Sequence, residues 1–172
     1  MRFTRYAAIC TAAIAMGALC AIANPLPVAA QTASESQKQI DIAAARAERK
    51  AIVSANMNLT DKEAKGFWPV YNAYEARMDK LDKRHADEVK EYAKHYETLT
   101  DKDAERKLHE VIAIKEARLH AQKEYIPKFG AVLTPIQVTR FYQIDNKLRA
   151  MVQCDIAQIV PLARPGKKKA AK

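Results

Sequence analysis

The sequence predicts an all-α protein of about four helices folded as antiparallel hairpins, on three observations. A leucine and threonine are followed three times by an acid or amide at capping distance: Leu59-Thr60-Asp61-Lys62-Glu63, Leu99-Thr100-Asp101-Lys102-Asp103 and Leu133-Thr134-Pro135-Ile136-Gln137. In each, the threonine hydroxyl can accept from the backbone N–H three residues ahead while the side chain there reaches back to the threonine N–H, the reciprocal arrangement of a capping box. Between the boxes, apolar residues recur at steps of three and four, the period of a helix. Only four glycines occur in 172 residues and no alternating β-branched run is bounded by turns, so there is no case for a sheet.

At the N-terminus, Arg2 and Arg5 precede an uncharged, alanine-rich run from Tyr6 to Ala23, and Val28-Ala29-Ala30 supplies small residues before a cut. Residues 1–30 are expected to be a secretory signal peptide cleaved after Ala30, with an uncleaved anchor as the alternative because the apolar run is long. Leu19 before Cys20 is too bulky for lipoprotein cleavage. Residues 31–56 are read as a polar spacer and a first helix, the spacer running from Asn24 to Ala33. Ser34-Glu35-Ser36-Gln37 would open that helix, with a thin stripe of Ile40, Ala44, Ala47, Ala51 and Ile52.

Residues 57–162 form the expected helical domain. Its first long helix runs from Asp61 to about Thr98, with Phe67, Tyr71, Tyr74, Met78, Leu81, His85 and Tyr92 inward and a kink expected at Gly66 to Pro69. The next spans Asp101 to about Phe129, with Leu108, Val111, Ile112, Leu119 and Ile126 on one side and Pro127 and Gly130 closing it. The last runs from Pro135 to about Val160, with Phe141, Ile144, Leu148, Met151, Val152 and Ile159. Residues 163–172 are a basic tail, expected to be disordered. Short connections make successive helices antiparallel neighbours. Narrow stripes on long helices leave little interior per residue, so a homodimer is expected to cover the remainder.

Losing Arg2 and Arg5 with the signal takes the formal charge from +9 to +7. In a secreted protein that charge favours anionic lipid, acidic polymers or unfolded acidic chains, with no nucleic-acid partner expected. Cys10 and Cys20 leave with the signal, and Cys154 then either pairs with another chain or stays buried as a small apolar residue. It lies about 120° from the centre of its helix's apolar stripe, which favours partial exposure.

The Leu-Thr-x-x-Gln form of the third box, its acidic variants in the other two, and Phe67-Trp68-Pro69-Val70-Tyr71 after the first together resemble the Spy/CpxP-like family of bacterial periplasmic proteins, over about Met57 to Leu162. The resemblance implies cradle-shaped dimers of long antiparallel helices. It also implies ATP-independent holding of unfolded proteins, inhibition of an envelope-stress sensor kinase, or metal binding in related branches. Glu63 and Asp103 replace the family's glutamine, and a carboxylate is expected to cap as an amide does.

Four histidines, His85, His95, His109 and His120, lie on the second and third helices. A fold-back about Lys102 would bring His95 level with His109 and His85 with His120, suiting zinc, nickel or copper, whereas helical facing sets the pairs apart and makes His85 a seam residue. Phe67, Trp68, Tyr71 and Tyr74 are read as a structural aromatic cluster. Lys80, Lys83, Arg84, Lys90, Arg106, Lys115 and Arg118 are interleaved with acids; they read either as a salt-bridged surface or as a basic client-binding face. No phosphate loop, nucleophile elbow or His-Glu-x-x-His pair points to an enzyme. The expected function is therefore periplasmic, nucleotide-independent binding of non-native polypeptides, with no cofactor required. The alternatives are a metal-binding sensor or buffer and an adaptor on a sensor kinase.

Overall fold

The computed structural model describes residues 28–164. They form four α-helices and no strand: α1 (Val28–Met57), α2 (Asp61–His95), α3 (Asp101–Gly130) and α4 (Pro135–Ile159). Residues 1–27 of the expected signal peptide (1–30) and residues 165–172 of the expected basic tail (163–172) lie outside the described residues. No described helix is long and apolar enough to cross a membrane. The chain divides into two compact units, Met1–Ile42 and Ala43–Lys172.

In the first unit the described residues belong to α1, where Gln37 donates to Asp41 across one turn and Ile40 and Ile42 are exposed. The helix already runs from Val28, so Ser34-Glu35-Ser36-Gln37 lies inside it rather than at its start, and residues 28–33 of the expected spacer are helical. Their composition explains this: alanine dominates, and no glycine or proline intervenes between Pro27 and Gly66.

In the second unit α1 buries Val53 and Met57, while Ala44, Ala47 and Ala51 of the expected stripe are exposed. It stops where Asn58 takes φ 48°, the left-handed conformation that asparagine tolerates better than other side-chain-bearing residues. Thr60, Thr100 and Thr134 are the N-caps of the next three helices, each accepting from the N–H three residues on. The reciprocal half of the box forms at Glu63 and Gln137. Asp103 is one methylene shorter; its carboxylate accepts from the Thr100 hydroxyl at 2.6 Å, and only the threonine half of that box is present.

The core gathers Phe67, Tyr71, Tyr74, Met78 and Leu81 from α2, as expected, against Tyr125 and Phe129 of α3 and Val138 and Phe141 of α4. Phe129 and Phe141 are its closest ring pair, 4.4 Å between centroids, and Phe67 and Tyr74 meet both. α2 continues unbroken through Pro69. Gly66 is required by packing: a Cβ there would come within 2.9 Å of Val132 Cγ1.

α3 presents a different face from the one its aliphatic residues predict. Leu108, Ile112, Leu119 and Ile126 are exposed, and the buried residues are Lys107, Ile114, Ala121, Tyr125 and Phe129. At 100° per residue the two sets lie about 120° apart. The aromatic pair decides the facing, because two rings against Tyr74, Phe67 and Phe141 bury more apolar surface than branched aliphatics could in their place. On α4, Ile144 and Leu148 are partly buried, but Met151, Val152 and Ile159 of the expected stripe are exposed and Asp145 is buried.

Contacts between α2 and α3 pair Phe67 with Phe129, Tyr74 with Tyr125, Asp82 with Arg118, Arg84 with Glu110 and Glu88 with Lys107. Residue numbers therefore rise along one helix as they fall along the other.

Candidate functional site

Asp145 is 2 % exposed, and a carboxylate so placed must be compensated. It stands one turn after Phe141, so the helix that buries the ring also carries the acid inward. Tyr74 Oη donates to it at 2.7 Å, and Arg149, one turn further along α4, donates through Nε at 2.9 and 3.0 Å. The same guanidinium reaches Asp82 at 3.1 Å and Glu75 at 3.1 Å. One arginine thus binds three carboxylates from two helices. Burial works against its charge, but Asp145 and Glu75 outweigh that and raise its pKa.

Arg49 of α1 approaches Glu75 at 3.6 Å and Asp145 at 3.7 Å, and Arg118 of α3 donates to Asp82. Burial pushes the Glu75 carboxyl up to about 7, against the opposing pull of Arg149 and Arg49. Burial also pushes the Tyr74 phenol up, with Asp145 adding to it, so the hydroxyl stays a donor. Two buried nitrogens of this cluster, Arg49 Nη1 and Arg118 Nε, have no hydrogen-bond acceptor. Beside them is a cavity of about 250 Å³ lined by Arg49, Asp82, His85, Arg118 and Arg149, with Val152 and Ile156 at its apolar side.

A second, larger space of about 690 Å³ opens where α3 meets α4, lined by Ile126, Pro127, Leu133, Val138 and Tyr142. Ile126 also ends the exposed α3 stripe, in which Leu108 is 62 % and Leu119 51 % exposed. Lys115 and Lys123 stand in solvent along the same side.

The structure places the remaining sequence-derived residues as follows. Phe67, Tyr71 and Tyr74 are core; Trp68 is half-buried with the Lys50 ammonium 4.9 Å from its ring centre. Among the basic residues, Lys83 pairs with Asp87, Arg84 with Glu110 and Arg106 with Asp103, while Lys80, Lys90 and Lys115 are exposed. Arg118 belongs to the buried cluster rather than to an outer face.

His85 is half-buried beside the arginines; burial first, then Arg118, lowers its pKa. His95 sits 3.2 Å from Glu91 on its own helix, and His109 and His120 are exposed. The pairing of Asp82 with Arg118 and Arg84 with Glu110 sets His85 level with residues before Arg118, not with His120. Among the described residues no three His, Cys, Asp or Glu side chains gather as metal ligands. Cys154 is exposed, against the buried alternative, and makes no disulfide with another described residue.

Sequence reasoning missed Arg49, Glu75, Asp82, Asp145 and Arg149. The available signal was an Asp and an Arg four apart on an otherwise apolar helix face.

No family model, curated protein or solved structure matches the chain.

Proposed function

We propose that this protein is a secreted, periplasmic, ATP-independent chaperone that binds non-native polypeptides during envelope stress, built from antiparallel helical hairpins and acting as a homodimer. The observation that carries the reading is the α3 stripe. Leu108, Ile112, Leu119 and Ile126 stand in solvent within about 40° of one another and lead through Ile126 into the open groove at α4. A protein with a core available could have buried them; this one buries aromatics instead and leaves a shallow apolar track beside Lys115 and Lys123. Exposed aliphatic side chains at intervals hold unfolded segments weakly, and nearby positive charge speeds their encounter with acidic chains.

The opposite run of residue numbers in the α2–α3 pairs supports the hairpin reading. Exposed Met151 and Ile159 on α4 are the surface a second copy would cover. The linked capping motifs support kinship with the Spy/CpxP-like proteins the sequence resembles.

The test is suppression of aggregation of a chemically denatured client at near-equimolar protein, without ATP, in chelator and again with zinc. Suppression indifferent to chelator and reduced several-fold in the combined Leu108→Ser, Ile112→Ser, Leu119→Ser and Ile126→Ser variant supports the reading. No suppression in either buffer overturns it, and suppression that requires zinc transfers the function to the histidines.

A further inference from the structure

We infer that the cavity between Arg49, Arg118 and Arg149 is a binding site for a small oxyanion, phosphate or the carboxylate of a small organic acid. The inference goes beyond polypeptide binding and rests on other residues. Arg118 Nε is a buried N–H donor without a hydrogen-bond acceptor, and Arg49 Nη1, although 3.7 Å from Asp145 Oδ1, makes no hydrogen bond either; both belong to side chains that line the same 250 Å³ cavity. Buried polar groups in folded proteins are almost always satisfied, so two unmatched guanidinium donors at one cavity call for an acceptor there. Arginine donors on a shared cavity are the usual means of holding carboxylate or phosphate oxygens.

The charge around the cavity favours an anion over a neutral acceptor. Three arginines face three acids, and Asp82 and Asp145 are occupied by Arg149, Arg118 and Tyr74. Glu75, the third acid, is held up to about 7 by burial despite Arg149 and Arg49, with Asp145 and Asp79 adding to the rise. When Glu75 is neutral the cluster carries an excess positive charge. Val152 and Ile156 give the cavity an apolar side, so an acid with a short hydrocarbon part fits as well as inorganic phosphate.

The experiment titrates the full chain with sodium phosphate and, separately, with succinate, against sodium chloride of equal ionic strength, by calorimetry and by thermal unfolding. Saturable binding of either anion, weakened at least tenfold in Arg118→Lys and Arg49→Lys and retained in Arg84→Gln, supports the site. Lysine keeps the charge at each position and removes the guanidinium donors. Phosphate alone or succinate alone identifies which oxyanion is held. Equal response to chloride, or binding unchanged in both lysine variants, overturns it. Should a lysine variant unfold, the Nε–H resonance of Arg118 in the wild-type chain decides: a saturable shift with phosphate or succinate supports the site, and none overturns it.

Discussion

Glu63 shows how much one side chain can be asked to do. Its Oε2 accepts from Thr60 N–H to complete its own box, and its Oε1 accepts from Gln137 Nε2 at 2.8 Å, tying the start of α2 to the start of α4. Gln137 in turn uses Oε1 for Thr134 N–H. Acid and amide are complementary here: one brings acceptors, the other a donor and an acceptor. The Gln137 bond, then the Thr60 N–H, holds the Glu63 carboxyl below its usual range. Glu63→Gln sets two amide NH₂ groups against each other, so its melting temperature by circular dichroism should fall below wild type, although glutamine caps helices well. Thr134→Ala should cost about 1 kcal/mol, the worth of an N-cap hydroxyl. At Asn58, where φ is 48°, Asn58→Val should cost about 1–2 kcal/mol in urea unfolding while Asn58→Gly stays near wild type.

At the scale of elements, the starts of α2, α3 and α4 were legible because a cap is decided within four residues, and Thr60, Thr100 and Thr134 each stand where the sequence put them, whereas Ser34 lies inside α1. Facing was legible on α2, where the aromatic and apolar residues coincide on one stripe. It was not legible on α3. Leu108, Ile112, Leu119 and Ile126 make the more regular apolar row, but the winning face is chosen by Phe129 and Tyr125 meeting rings on α2 and α4, a choice made between helices. The register of α2 against α3 was out of reach for the same reason: it follows from pairs such as Asp82 with Arg118, not from the turn at Lys102. Gly66 tests helix packing directly. Gly66→Ala should cost about 1–3 kcal/mol through contact with Val132, and Val132→Ala should recover much of it in a double-mutant cycle.

For the whole molecule, the buried acid–arginine cluster sets how stability responds to pH. The Glu75 pKa is raised to about 7 in the folded state from an ordinary 4.5, so between those values the folded chain holds a proton the unfolded chain has released. Stability from this group is therefore full below pH 4.5, falls as pH rises towards about 7, and is flat above it. The span corresponds to about 3 kcal/mol. Glu63, Asp87, Glu110 and Glu124, all with lowered pKa values, act in the opposite sense, their contributions being lost as acid protonates them. Glu75→Gln should remove the decline between pH 4.5 and 7 in denaturant melts and leave the acid limb in place. Asp145→Ala, which strips Arg149 and Tyr74 of a shared buried partner, should cost about 3–5 kcal/mol.

Arg149 has one further consequence. An aromatic core is forgiving about sliding, since a ring moved by a turn still finds apolar neighbours. A guanidinium is not: displace α2 by one turn along α4 and Glu75 and Asp82 leave its reach together, stranding a charge among Tyr74 and the rings. The three-carboxylate hub thereby acts as a register check, penalising every near-native packing that the hydrophobic contacts alone would accept.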